Sequence, residues 1–163
     1  MEIIEGIVTV SPTPANSHNS VAQRVQRQLW AVIPEDWGVY RTLAVAVPSR
    51  LGMFIPDLIV APEAVLDEPG HSIPAAAALL VVEITSKSNA DHDRIEKLHG
   101  CATAGVPVYL LFDSWHSGRP TATLYGQPKN AMYRVLDPVK YGEGLHIPAP
   151  FDLTIDTGAF PVG

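Results

Sequence analysis

The sequence predicts an α/β fold, a mixed β-sheet with helices packed on it. Segment 18–33 carries apolar residues at three- and four-residue spacing, and 91–104 reads as a second helix. Two short apolar runs, 79–84 and 108–113, read as strands buried on both faces. Segments rich in β-branched residues alternate with these in the order β-α-β-β-β-α-β-β-β. Residues 2–10 read as a strand that stops at Ser11-Pro12-Thr13-Pro14. Asn16 and Ser17 are N-cap residue types for the first helix, on which Val21, Ala22, Val25, Leu29, Val32 and Ile33 form the apolar stripe and Pro34 the stop. Strands follow at 38–47 and 54–61, then a loop dense in Pro, Glu, Asp and Gly at 62–75. The second helix stops at Gly105-Val106-Pro107. Segments 121–125 and 132–136 read as an antiparallel pair around a turn at 126–130, and 145–156 as an extended tail.

Composition narrows the class. At 163 residues, 47% hydrophobic and 17% charged, the chain fits one globular domain over residues 1–163. Its longest nearly apolar stretch, 73–82, contains Pro74 and is half of what a bilayer requires, so no membrane partner is expected. The N-terminus lacks the basic run of a secretory signal. Cys101 is alone, which excludes an internal disulfide and any cysteine-based metal site and points to a reducing cytoplasm. The net charge of −6 argues against a protein that coats DNA by bulk attraction. It leaves room for an enzyme that holds nucleic acid through a local patch and a metal ion.

Chemistry concentrates in carboxylates placed among apolar residues. Asp57 follows Pro56 within one apolar segment, and Glu83 lies near the end of the run 79–84. A glutamate inside such a run is costly unless paired or metal-bound. Two acids on neighbouring strands can face one cleft and offer the hard oxygens that Mg²⁺ requires. Asp93 and Lys97, at i and i+4, share one face of the second helix. Spacing alone fits equally a turn aspartate, a strand-end glutamate and a surface ion pair.

These residues also carry a resemblance. Pro56-Asp57, Leu80-Val81-Val82-Glu83-Ile84-Thr85-Ser86, Asp93-x-x-x-Lys97 and Ala104-Gly105-Val106-Pro107-Val108-Tyr109 resemble the Uma-type family, small bacterial restriction endonucleases within the PD-(D/E)XK nuclease superfamily. The opening Glu2-Ile3-Ile4-Glu5-Gly6, Pro12, His18 and the closing Phe151-Asp-Leu-Thr-Ile-Asp156 are similar to the same pattern, so the likeness spans nearly the whole chain. It implies a restriction-endonuclease-like fold and Mg²⁺-dependent (or Mn²⁺-dependent) hydrolysis of DNA phosphodiesters. Asp57, Glu83 and the main-chain carbonyl of Ile84 would hold the metal, with a lysine steadying the developing phosphorane charge. The superfamily places that lysine two residues after the glutamate, where this chain has Thr85. The resemblance moves the role to Lys97, with Lys87 as the rival. The family often has an acid after the opening glycine; here Ile7 stands there, which leaves a further acidic ligand from the first strand open. Family members commonly begin further upstream, and a small nuclease cutting two strands would work as a homodimer.

Other constellations say less. His18, His71, His92, His99, His116 and His146 show no zinc-ligand spacing; His18, at the start of the first helix, is the one placed to face a phosphate or support the metal site. Asp91, His92 and Asp93 point about 100° apart along a helix and do not form one ligand set. There is no Gly-x-Ser-x-Gly elbow and no lysine-bearing phosphate loop. Cys101, Trp30, Trp37 and Trp115 read as packing residues, and Arg24, Arg27 and Arg94 as either a basic patch or a solvated face. Two readings from different classes remain: a metal-dependent endonuclease, or a catalytically inactive nuclease-fold binding module, which the acidic charge, Thr85 and Ile7 favour. A metal hydrolase for another phosphoester is a third.

Overall fold

The computed structural model describes residues 1–115 and 119–162; His116 lies outside the described residues. Its elements are β1 (Glu2–Ile4), β2 (Ile7–Thr9), α1 (Asn16–Trp30), β3 (Trp37–Tyr40), β4 (Ala44–Val47), β5 (Gly52–Phe54), β6 (Leu58–Pro62), β7 (Ser72–Pro74) and β8 (Leu80–Ile84). A π-helical turn, His92–Lys97, then runs into α2 (Leu98–Ala104). Completing the chain are β9 (Val108–Asp113), β10 (Thr121–Lys129), β11 (Met132–Lys140), β12 (Gly144–Ile147) and β13 (Leu153–Asp156). The predicted α/β class holds, with mixed sheets and few helices.

The central sheet has six strands in the order β11-β10-β9-β8-β6-β3; β8 and β9 run parallel and the other neighbours antiparallel. A second sheet, β2-β1-β5-β4-β7, is built from residues that the sequence pattern assigned to longer strands or loop. The expected strand 2–10 is a hairpin, because Glu5 and Gly6 both take positive φ (50° and 79°), the backbone of a two-residue turn. Segment 38–47 splits into β3 in the central sheet and β4 in the second; 54–61 mostly becomes β6 of the central sheet, with Phe54 ending β5 of the second. The loop 62–75 contributes β7, parallel to β4.

Two cores result, one on each face of the central sheet. Val21, Val25 and Leu29 of α1 pack with Leu80, Val82 and Ile84 of β8 and with Leu145, Ile147 and Ile155 of the β12–β13 hairpin. That hairpin replaces the expected extended tail. On the other face Ile59, Val81, Tyr109 and Leu111 meet Val45, Val47 and Phe54 of the second sheet and Cys101 of α2. The α1 boundary differs from expectation: Ala15 is the N-cap, without a side-chain cap, so Asn16 and Ser17 lie inside the helix. β10 and β11 extend to nine residues each and turn at Asn130 and Ala131, both with positive φ, whereas Gly126 sits within β10.

Candidate active site

Strand alternation places the first acid. Along β8, Leu80, Val82 and Ile84 join the core under α1 while Val81 faces the second sheet, and Glu83 follows Val81 to that side. The antiparallel register pairs Leu58 with Val82, so Asp57, one residue before β6, continues the ladder beside Glu83. β1 brings Glu2, buried on the same strand face as Ile4. The π-helical turn brings Asp93 and Lys97, both buried. Such turns recur at functional sites, and this one replaces the regular helix start expected from the sequence. His18 arrives from the first turn of α1. All six side chains line a cleft of about 570 Å³, whose rim includes Pro12, Thr13, Lys87 and Trp115.

Lys97 Nζ lies 2.9 Å from Glu2 Oε1, 3.2 Å from Glu83 Oε1 and 3.3 Å from Asp93 Oδ1. Glu2 Oε1 also accepts the Ile55 amide at 2.8 Å, tying β1 to the segment that carries Asp57. Asp57 Oδ1 is 2.9 Å from His18 Nε2, and its Oδ2 accepts the Ile84 amide at 2.7 Å. Glu83 Oε1 makes an ion pair with the ammonium but no directed hydrogen bond, although it is shielded from water. Exposure of Glu83, Asp93, Lys97 and Glu2 is 2%, 3%, 6% and 7%, so these charges interact at low dielectric.

Four carboxylates therefore share one ammonium and, when protonated, one imidazolium. Burial pushes the Glu83 carboxyl well above its usual range; Lys97 pulls it down, while Asp93, Asp57 and Glu2 push it further up. Burial likewise raises Asp93 to about 7 against the opposing pull of Lys97. Burial alone would lower the Lys97 pKa, but Glu83, Asp93 and Glu2 hold it well above the ordinary lysine value. His18 is also raised: its hydrogen bond to Asp57 and that carboxylate's charge outweigh the effect of burial. The acids crowd one another and tend to hold protons, which a divalent cation would displace.

The structure thus brings Asp57, Glu83, Ile84 and Lys97 together. Lys87 is exposed at the rim. Thr85 does not stand in for a lysine, since its hydroxyl donates to Asp113 Oδ1 at 3.0 Å. Arg94 also binds Asp113, through Nε at 2.7 Å and Nη2 at 3.0 Å, so it is part of a structural clamp and not of a free basic patch. Asp91 is exposed and pairs with Arg94, away from Asp93, as the helical spacing predicts. His71, His99 and His146 are exposed and His92 half-buried. Cys101 is fully buried and its thiol is pushed up by that burial. Trp37 packs on Phe151 at 5.9 Å between ring centroids, but Trp30 and Trp115 are 49% and 40% exposed, against the expectation that all three pack. Sequence reasoning missed Glu2 as a site residue. Its signal was the alternation that pairs it with Ile4 on the inward face of an otherwise β-branched strand.

The family model for Uma2, described as "Putative restriction endonuclease", matches residues 1–158. The chain belongs to this family. Among solved structures it is similar to a chain described as "a putative nuclease belonging to DUF820" from Anabaena variabilis ATCC 29413. The TM-score is 0.71 at 17% identity, over 94% of this chain and 86% of that one, a likeness of fold. No match is found among curated proteins. The Uma2 membership agrees with the resemblance carried by Asp57, Glu83 and the Asp93–Lys97 helix. No helix among the described residues is long and apolar enough to cross a membrane.

Proposed function

We propose that this Uma2 protein is a metal-dependent endonuclease that hydrolyses DNA phosphodiester bonds. The observation that carries this reading is the convergence of four acids and one lysine, mostly buried, at the floor of an open cleft. The donor set fits a hard divalent cation: adjacent carboxyl groups on Asp57 and Glu83, a shielded Glu83 oxygen without a hydrogen bond, and mutual repulsion among the acids that raises the Glu83 pKa in the absence of such an ion. Asp57, Glu83 and the Ile84 carbonyl are the residues that would hold Mg²⁺ or Mn²⁺. When bound, such an ion polarises a phosphate oxygen and acidifies a water.

The chain's own groups do the rest. His18 and the Ile84 amide fix the two oxygens of Asp57, so this carboxylate is oriented before substrate arrives. Glu2 and Asp93 hold the Lys97 ammonium beside Glu83, and the lysine donates to charge that develops on the phosphate in the transition state. The DNA backbone enters over the rim formed by Pro12, Thr13 and Lys87, on the side where α1 begins without an acidic first turn.

Incubation of the protein with supercoiled plasmid and Mg²⁺ or Mn²⁺ tests the proposal. Nicking should fall by about 10²-fold or more in Asp57→Ala and in Glu83→Ala. No nicking by the wild type, or nicking by both variants at the wild-type rate, refutes it. One observation favours a non-catalytic nuclease-fold binding module: Lys97 already neutralises part of the cluster, and among the described residues no three His, Cys, Asp or Glu side chains form a ready metal cage. That reading predicts no rise in melting temperature with metal concentration, whereas a real site stabilises by mass action.

A further inference from the structure

The charge of this protein is unevenly distributed. All 17 acids lie outside the stretch between Glu5 and Glu35, a stretch that contains the cleft rim at Ser11 to Ala15 and the whole of α1. With its apolar side buried in the core, α1 turns Asn16, Asn19, Gln23, Arg24, Arg27 and Trp30 outward; at about 100° per residue these six form one face. Elsewhere the partly or fully buried cations are matched: Arg50 pairs with Glu5, Arg94 with Asp113, Lys97 with three acids. Among the described residues Arg24 and Arg27 form no ion pair, and Arg24 reaches only the Ser20 hydroxyl, at 3.4 Å.

We infer that this outward face of α1 is the protein's contact surface for duplex DNA; the helix reaches the cleft at its first turn, where Ser17 and His18 line it. The inference rests on the endonuclease reading and assigns it a substrate form. Three chemical features favour a duplex. Arg24 and Arg27 supply phosphate attraction on a helix that carries no acid and starts at the cleft. Amide side chains and arginine are the groups that form paired hydrogen bonds with base edges in the major groove, which admits one helix. Trp30, at the helix end, adds a rigid apolar surface against sugar or base. The absence of acids from α1 itself lessens the repulsion that the −6 molecule presents to a polyanion, with Asp156, whose amide donates to Gln28 Oε1, the acid beside the helix.

Binding of a fluorescent 20-base-pair duplex at several salt concentrations tests this, read alongside plasmid nicking by the same preparations. The variants are Arg24→Gln/Arg27→Gln, Trp30→Ala and, as a control, Arg134→Gln on β11, at the opposite edge of the central sheet from β3. The double variant should bind at least tenfold more weakly at low salt. The slope of log affinity against log salt should drop by about 1.8, as loss of two phosphate contacts requires. A role in folding alone would not change that slope, and melting temperatures check that the exposed substitutions leave the fold intact. Affinity and slope of the double variant equal to those of Arg134→Gln, in a protein whose wild type nicks plasmid, overturn the inference and leave the endonuclease standing. Preference of the wild type for single-stranded over duplex DNA, with α1 variants unaffected, also overturns it. If the wild type neither binds nor nicks DNA, both readings fall.

Discussion

Replacing Lys97 by methionine removes the positive charge on which three buried acids converge. At separations of 2.9, 3.2 and 3.3 Å, each contact contributes about 5 kcal/mol of attraction at an effective dielectric of about 20, before the desolvation it offsets. Methionine fills similar space and returns none of this. Breaking a buried ion pair by deleting one partner costs about 3–5 kcal/mol, so Lys97→Met should destabilise by that amount at pH 8. The cost must depend on pH. Lys97 pulls the raised Glu83 and Asp93 pKa values down, so its removal raises both further. A folded-state acid pKa above the unfolded value means that the native state binds more protons; stability is present at low pH and is lost as pH rises through the folded pKa. At pH 5 the variant can protonate these acids and should recover roughly half or more of the loss. Urea denaturation of wild type and variant at pH 5 and pH 8 measures the difference. A cost below about 1 kcal/mol at pH 8, or one equal at both pH values, would falsify the picture of a single lysine balancing a buried acidic cluster.

Other outcomes follow from the same geometry. Mg²⁺ or Mn²⁺ should raise stability by about 2.7 kcal/mol at a hundredfold excess over Kd; the effect should weaken as pH falls, because protons compete with the metal at the raised Glu83 carboxyl and occupy Asp93 near pH 7, and thermal melts in a metal series at pH 8 and pH 5.5 report it. Arg94→Met should cost about 2–3 kcal/mol at pH 7, because Asp113 is 1% exposed and loses both guanidinium bonds. Despite burial, Arg94 and Thr85 lower the Asp113 pKa, so the Arg94 contribution is present above the ordinary aspartate pKa and fades as pH falls through the depressed value. Gly100→Ala should cost about 1–3 kcal/mol by differential scanning calorimetry, since a β-carbon there runs into the Phe54 ring that joins α2 to the second sheet.

Much of the candidate site was legible before any coordinates. Glu83 announced itself because an acid in an unbroken apolar strand needs a partner, and Lys97 because it recurs one helical turn after Asp93. Asp57 needed only a neighbouring strand. Glu2 escaped notice because its strand is three residues long and the hairpin at Glu5-Gly6 was read as continuous strand. Asp93 was seen as Lys97's face-mate, but its burial depends on Glu2 and Glu83 arriving from two other strands. The second sheet was invisible for a related reason. A change of sheet within one β-rich segment, as between β5 and β6, leaves no mark on residue periodicity, since both pieces alternate in the same way.

Local chemistry by itself determined the apolar stripe of α1, the buried strands β8 and β9, and the presence of charge where charge is expensive, because each follows from the fit of a side chain to water or to its immediate neighbours in sequence. The tertiary structure alone decided how those charges add. Glu2, Asp57, Glu83, Asp93, Lys97 and His18 come from two sheets, α1 and the π-helical turn, and their interaction falls off with distance and with exposure to water. Only folding brings Lys97 to about 3 Å from Glu2, Glu83 and Asp93, and His18 to about 3 Å from Asp57, in one cleft whose buried groups water screens little.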